Sequence, residues 1–223
     1  MDSCDFKNFR AIHRKDFLLE LIEEGEHEHQ DFKFAITDSK KISRSIAAFA
    51  NNDGGRLLIG VKDNGSIAGM KGDEEYYMID YAASTYCKPA QDVSYKLYNI
   101  GGKFVLLVDI RKSDKLVYAI DESGKWKAYY RYRDENIQMP GSIAEIVKLQ
   151  KSSKRTATYA DNEALVLEHI VKLGRVTIDS LYAEIKLSRK SLKEAIANLV
   201  ILNVVKLEYD GENWCILQEH NDK

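Results

Sequence analysis

Apolar residues recur along the first 150 residues with two periods, one helical and one typical of strands. Spacings of three and four predict helices over residues 8–23, 39–50, 73–86 and 141–150. Short alternating or continuous apolar runs predict strands over residues 28–36, 56–61, 93–100, 104–110, 115–120 and 125–132. Asp38 or Ser39 can cap the second helix, and residues 51–55 and 63–65 carry turn signals. The mixture predicts an α+β domain with a mixed sheet.

The pattern changes after residue 150. Residues 151–158 are polar and basic and have no apolar period, which predicts a linker. Beyond them, apolar spacing predicts helices over residues 161–173, 177–186 and 188–202, followed by a hairpin of residues 204–209 and 214–217. Three helices and a hairpin follow each other in the order of a winged helix. We therefore expect an α+β domain over residues 1–150, a linker, and a small winged-helix domain over residues 159–223.

Composition and charge narrow the classes of protein to which this chain can belong. Hydrophobic residues make up 44% of the chain and charged residues 30%, which is ordinary for a globular protein. The net charge is -2, so any contact with nucleic acid has to use a local basic patch. The three cysteines are far apart and odd in number, which argues against a disulfide framework and a zinc site. No apolar stretch approaches about 18 residues, so we expect a cytoplasmic protein without membrane contact.

Residues 31–69 carry the most specific motif of the chain. They contain DFK, a helix that ends in AAFANNDGG, and the run RLLIGVKDNG. This combination resembles the Schlafen Alba-like domain, which is found in bacterial putative regulators and in animal Schlafen proteins. The segment YYRYR at residues 129–133, followed by Asn136, is similar to the family's YYRxGxxN segment. The resemblance covers about residues 15–150 and implies an α+β fold with a mixed sheet.

Part of the motif has a direct physical explanation. Gly54 and Gly55 allow a sharp turn from helix to strand, and Asn51 and Asn52 can hold the loop through side-chain hydrogen bonds. Gly60, inside a strand, predicts the close approach of another element or of a ligand. The loop is either a binding element or purely architectural, and the sequence leaves both open.

Nucleic-acid binding is the first functional hypothesis, with DNA and RNA both open. Residues 103–133 contain eight basic and four acidic residues interleaved with aromatic residues, a pattern that can hold phosphates and stack on bases. The candidate contacts of the first domain are Lys33, Lys40, Lys41, Arg44, Lys103, Lys125, Lys127, Arg131 and Arg133. Alternatively, the hairpin is solvated and its aromatic residues pack in the core.

The winged-helix segment offers further candidate contacts. Arg189, Lys190 and Lys193 lie near the start of its third helix, the part that meets base edges in such folds. From residue 154 onward there are ten basic and eleven acidic residues, so the segment can equally bind protein or form a homodimer. The combined hypothesis is a bacterial transcriptional regulator.

The resemblance also implies a second and a third function. In Schlafen-type nucleases three carboxylates hold a divalent metal, and the matching positions here are Glu26, Asp31 and Asp63. The implied activity is a Mg²⁺- or Mn²⁺-dependent endoribonuclease. Asp31 stands where the family has Glu and is one methylene shorter. Relatives are also labelled as ATP-binding, but the chain has no GxxxxGK[ST] loop, so this function ranks third.

Overall fold

The computed structural model describes residues 10–13, 15–152 and 156–219. Contacts between Cα atoms divide the chain into an N-terminal unit, residues 1–138, and a C-terminal unit, residues 139–223. Residues 8, 9 and 14 of the first predicted helix, residues 153–155 of the predicted linker and residues 220–223 of the predicted winged-helix domain lie outside the described residues. Within the described ranges, no helix is long and apolar enough to cross a membrane.

The N-terminal unit combines helices with two sheets. Its described elements are α1 (Asp16–Glu24), β1 (Gln30–Lys33), α2 (Ser39–Asn51), β2 (Gly55–Ile59), α3 (Glu74–Thr85), β3 (Cys87–Lys88), β4 (Val93–Ile100), β5 (Lys103–Ile110), β6 (Tyr118–Ile120), β7 (Trp126–Tyr132) and β8 (Glu135–Gln138). One sheet has the order β1-β2-β5-β4, and only its β1–β2 pair is parallel. The other sheet is antiparallel, with the order β3-β6-β7-β8. The predicted α+β class with a mixed sheet is confirmed.

Helix α2 is the central element of this unit. The Asp38 carboxylate caps it by accepting hydrogen bonds from the backbone N–H groups of Lys40 and Lys41, as the sequence predicted. Nearly every residue from Ile42 to Asn51 is buried. The reason is that one apolar core joins α2 to side chains of both sheets, for example Leu57 of β2 and Ala119 of β6.

The two-residue period of β1 and β2 decides which side chains face α2. Leu57 belongs to the core that contains α2, whereas Phe32 and Leu58 pack with α1 on the opposite face. Asp31 lies beside Leu57 in the parallel register and therefore shares the face toward α2. Lys33 follows two residues later on the same face. A sheet edge strand thus presents a carboxylate and an ammonium group toward α2.

Some local features differ from the expectations. The first helix begins only at Asp16, because Ile12 instead forms backbone hydrogen bonds with Leu97 and Asn99 of β4. Strands β3 and β8 have two and four residues, too few to show a period, and were not predicted. The expectation for Gly60 is confirmed: φ is +92°, and a Cβ there would lie 2.8 Å from backbone atoms of the 69–70 turn.

From residue 161 onward the C-terminal unit has the predicted helices and hairpin in order, with an unpredicted short strand, Val176–Thr177, between the first two helices. Its described elements are α4 (Gly141–Gln150), α5 (Asp161–Leu173), β9 (Val176–Thr177), α6 (Ile178–Glu184), α7 (Arg189–Ile201), β10 (Val205–Tyr209) and β11 (Trp214–Gln218). The three strands form an antiparallel sheet with the order β10-β11-β9. Helix α4, which the sequence analysis placed with the first domain, belongs to this unit because Ile146 packs with Ile170 and Ile196.

Candidate nucleic-acid interface

A cleft of about 560 Å³ opens beside the N-terminal end of α2. Its walls come from the segment between β1 and α2, from α2 itself, and from β7 and β8. The lining residues with charged side chains are Lys33, Lys41, Arg44, Asp38 and Glu135. Three of the predicted cations therefore share one concave surface, although they are separated along the chain.

The side chains that line the cleft carry three positive charges against the two carboxylates of Asp38 and Glu135, a net charge of +1. The Asp38 carboxylate accepts hydrogen bonds from the backbone N–H groups of Lys40 and Lys41, so these two donors of the helix start are already used within the fold. The first turn of a helix carries a partial positive charge, which adds to that of the cations. Arg44 is 20% exposed and lies 3.3 Å from Glu122, whose side chain is 89% exposed. Such an exposed pair is weak, so the guanidinium can exchange Glu122 for a ligand.

A buried polar network supports the wall of the cleft. The Asp31 carboxylate lies 2.6 Å from Lys33 Nζ and 3.2 Å from Arg131 Nη2. Arg131 also donates to Asn136 Oδ1 at 3.1 Å, and Asn136 Nδ2 donates to Ser45 Oγ at 2.9 Å. Through these side chains the network joins β1 of one sheet to β7 and β8 of the other sheet and to α2.

The position of Arg131 departs from the prediction of a surface phosphate contact. Its side chain is 1% exposed, and its guanidinium lies 5.0 Å from the centre of the Phe49 ring. A buried guanidinium with a carboxylate partner holds the fold together and does not meet a ligand at the surface. The motif residues Arg131 and Asn136 therefore act as supports of the cleft in this structure.

The predicted carboxylates are brought together only in part. Glu26 accepts a hydrogen bond of 2.8 Å from the N–H of Phe32, on the open edge of β1. Burial of the Glu26 carboxyl, and after it a hydrogen bond with Asp31, raises the pKa of Glu26 above its usual value. Asp63 is exposed on the turn after β2.

The described residues do not bring these three carboxylates together as one group. Across the described ranges, no three His, Cys, Asp or Glu side chains form a group that could hold a metal. Both oxygens of Asp31 already face cations, the ammonium of Lys33 and the guanidinium of Arg131. The Mg²⁺ or Mn²⁺ site stays a prediction.

The loop after α2 is tied into the fold by its asparagines. Asn51 exchanges hydrogen bonds of 2.8 Å with the backbone N–H and C=O of Val117 and donates to the Tyr129 carbonyl. Asn52 pairs in the same way with the backbone of Arg131. A Cβ on Gly54 would lie 2.8 Å from the Ile110 carbonyl oxygen, and one on Gly55 would overlap the Phe49 ring. Of the two interpretations, the structure supports the architectural one.

Comparison with known proteins identifies the family of this domain. Residues 26–140 match the family described as Schlafen, AlbA_2. The chain belongs to the Schlafen, AlbA_2 family. None of the curated proteins matches it.

Two solved structures resemble the chain at low similarity. The DIP2311 protein from Corynebacterium diphtheriae has 17% identity and a TM-score of 0.45 over 86% of this chain. The chain spans 34% of that protein's length. The N-terminal domain of a putative ATP-dependent DNA helicase RecG-related protein from Nitrosomonas europaea has 20% identity and a TM-score of 0.36, and the match covers 69% of this chain and 92% of that one.

The other predicted cations of the Schlafen, AlbA_2 domain lie outside the cleft lining. Lys40 and Lys125 are exposed, and Lys127 is half-buried. Lys103 donates to the carbonyl of residue 67 at 2.7 Å, and the Arg133 guanidinium lies 5.2 Å from the Tyr132 ring. Tyr129 is 6% exposed and belongs to the core. The aromatic residues of this hairpin are thus divided between the core and the surface, with Trp126 41% exposed.

Sequence reasoning missed three polar residues of the cleft, Thr37, Ser45 and Glu135. Ser45 lies on the buried side of α2, and nothing in its neighbouring sequence indicates that its hydroxyl belongs to a site. Glu135 lies in strand β8, which the sequence did not predict. Asn136 was quoted as a motif residue, and the structure supplies the reason for its presence.

The basic residues of α7 are engaged differently. The Arg189 guanidinium lies 5.2 Å from the Tyr182 ring, and Lys193 forms an ion pair with Glu145 of α4. Lys190 is exposed. Two of the three predicted contacts on this helix therefore have partners within the C-terminal unit.

Proposed function

We propose that this protein binds nucleic acid and that the cleft beside α2 receives the phosphate backbone. The observation that carries the proposal is the convergence of Lys33, Lys41 and Arg44 on one concave surface at a helix start. Lysine and arginine hold phosphates through charge and charge-assisted hydrogen bonds. Membership in the Schlafen, AlbA_2 family supports the same function.

The finer form of the proposal is a bacterial transcriptional regulator. In that case the C-terminal unit acts as a winged helix that contacts DNA or forms a homodimer. Its helix order and its three-stranded sheet support this assignment. The ion pair of Lys193 with Glu145 weighs against a large contribution of that lysine to DNA binding.

The test compares binding by wild type with binding by Lys41→Ala/Arg44→Ala. Fluorescence anisotropy with labelled single-stranded RNA, single-stranded DNA and duplex DNA gives affinities over a salt series. Each lost charged contact should weaken binding about tenfold or more, irrespective of sequence. The log–log salt slope should fall by roughly 0.7 for each lost contact to a single strand.

The matched control is Lys96→Ala/Lys172→Ala, which removes the same two positive charges from residues that do not line the cleft. Lys96 lies on β4, at the opposite edge of the sheet from β1, and Lys172 lies on α5. This variant should bind nearly as wild type does. If Lys41→Ala/Arg44→Ala binds as tightly as the control at low salt, the proposal fails.

A metal-dependent endoribonuclease is the second candidate, because Glu26, which accepts the Phe32 N–H, and Asp31 both lie at the edge strand β1. The same RNA incubations with Mg²⁺ or Mn²⁺ test it. Cleavage by wild type that Asp63→Asn abolishes while RNA binding persists would support the candidate. If RNA is not cleaved with either metal, the nuclease candidate is wrong and the proposal of nucleic-acid binding stands without it.

ATP binding stays the third hypothesis. The loop it would use gives it no support, because the Asn51 and Asn52 side chains are committed to backbone partners in β7 and beside β6. The Gly54 N–H donates to the Phe49 carbonyl at 3.0 Å and is likewise used within the fold.

A further inference from the structure

A second depression in the N-terminal unit is lined by exposed tyrosines of α3. Tyr77 is 59% exposed and Tyr81 is 50% exposed. They lie four residues apart and therefore on the same side of the helix. A groove of about 490 Å³ runs along them, with Asp80 and Ser39 among its lining residues. We call this surface the tyrosine groove.

The rings of the tyrosine groove are oriented by other aromatic rings. Tyr81 meets Tyr86 edge-on at 5.1 Å between centroids, and Tyr77 meets Tyr76 at 5.2 Å. Tyr76 in turn packs edge-on against Tyr95 at 4.7 Å. Edge-to-face packing restrains the rings while about half of the Tyr77 and Tyr81 side chains stays exposed. Little conformational entropy is lost when a flat ligand stacks on such rings.

The tyrosine groove adjoins the cationic cleft through the first turn of α2. Ser39 lines the groove, whereas its neighbour Asp38 and Lys41 line the cleft. Between them, Lys40 Nζ lies 5.9 Å from the centre of the Tyr86 ring. A ligand whose phosphate lies in the cleft can therefore extend past Lys41 and Lys40 to the exposed aromatic rings of the groove.

Building on the proposed function, we propose that the tyrosine groove stacks an unpaired nucleobase of a single strand whose phosphate lies in the cleft. Every base has a π-face that can stack on tyrosine, whereas a base inside a duplex is already stacked and paired. The Asp80 carboxylate can accept a hydrogen bond from an amino group of such a base. The protein is thus a single-strand binder, and duplex DNA is the weaker ligand.

The experiment measures the binding of single-stranded RNA and DNA to Tyr77→Ala/Tyr81→Ala and to Tyr77→Phe/Tyr81→Phe. The alanine variant should lose roughly 5- to 150-fold in affinity for each base that stacks. Its salt slope should not change, since no charge is removed. The phenylalanine variant keeps the rings and should bind like wild type. Tyr159→Ala, which removes a 56% exposed tyrosine of the C-terminal unit, is the control.

An oligonucleotide with abasic sugars provides a second measurement that needs no variant. It carries the same phosphates without bases, so wild type should bind it as weakly as the alanine variant binds the normal strand. Equal affinity of wild type for the abasic and the normal strand would overturn the stacking proposal.

The remaining outcomes separate this inference from the proposed function. If Lys41→Ala/Arg44→Ala weakens binding and Tyr77→Ala/Tyr81→Ala does not, stacking is wrong and the cationic cleft stands. If neither variant weakens binding, the proposed function itself fails. If the tyrosine variant binds the strand normally but changes its oligomeric state in sedimentation, the groove is a protein contact and stacking is again wrong.

Discussion

Three predicted basic residues of the N-terminal unit converge on one open cleft, whereas the three predicted on α7 of the C-terminal unit lie along a single helix. Lys33, Lys41 and Arg44 share one surface that can receive an anion. On α7, Arg189 packs on Tyr182 and Lys193 pairs with Glu145. The number of basic residues in a segment is therefore a poor guide to its usable positive charge. Two of the three cleft cations also have a carboxylate partner, so what distinguishes the cleft is that its cations converge on one surface.

The same contrast recurs inside the N-terminal unit. Arg131 and Arg133 are two residues apart in the motif, yet one is buried against Asp31 and the other is exposed. The buried pair also positions a surface cation, because Asp31 contacts both Arg131 and Lys33, and Lys33 lines the cleft. The support network and the binding surface thus share a residue.

The largest expected effect is on stability, in Arg131→Met. This change leaves the nearly buried Asp31 without its guanidinium and Asn136 without a donor. Breaking a buried ion pair costs up to about 3–5 kcal/mol of unfolding free energy, less where the charge keeps a second partner, as Asp31 keeps Lys33. Urea denaturation followed by circular dichroism measures this free energy. Arg133→Met, at the exposed position, should change it by less than about 0.5 kcal/mol. If Arg131→Met has normal stability but no longer binds oligonucleotides, Arg131 contacts the ligand directly, as the sequence predicted.

The next effect concerns α7 and tests the comparison directly. Arg189→Ala/Lys190→Ala should lose less than about tenfold in affinity for single strands, against tenfold or more per residue in the cleft. Anisotropy with the same oligonucleotides and with duplex DNA measures both. If duplex binding depends on α7 and not on the cleft, the comparison is reversed. The C-terminal unit is then the DNA-reading element.

Local signals in the sequence were sufficient for the long elements. The start of α2 could be predicted because Asp38 caps it within three residues, and the fourth and fifth strands because each has eight residues of strong apolar pattern. Strand β9, with two residues, exists only because it pairs with β11, so no pattern of its own marks it.

The site was less predictable because its contacts are distant in sequence. Asn51 and Asn52 were expected to hold their own loop, but their partners lie 66 to 79 residues away. The burial of Arg131 likewise depends on Asp31, 100 residues earlier. A motif marks such residues without saying which of them face the ligand. No sequence motif marks the tyrosine groove. The groove depends on the exposure of Tyr77 and Tyr81, which only the fold determines.

The smallest expected effect is a pH dependence that differs in sign between the two units. Burial and the hydrogen bond with Asp31 raise the pKa of Glu26 above its usual 4.5, so folding stabilises the protonated form. That stability is complete below pH 4.5 and is lost as the pH rises through the raised pKa. In the C-terminal unit the hydrogen bond from Arg175 lowers the pKa of Glu208, whose stabilising effect is lost only as the pH falls below 4.5.

Glu26→Gln tests this sign. The amide keeps an oxygen to accept the Phe32 N–H but cannot ionise, so the decrease of the melting temperature above pH 4.5 should become shallower. Glu208→Gln should leave the pH dependence of the melting temperature above pH 4.5 unchanged and should weaken only the decrease of the melting temperature at lower pH. Calorimetric melting of both variants and of wild type across the two ranges is the measurement. A steeper decrease above pH 4.5 in Glu26→Gln would mean that the carboxylate of Glu26 stabilises the edge of β1 in its ionised form, as an ordinary acceptor for a backbone N–H does.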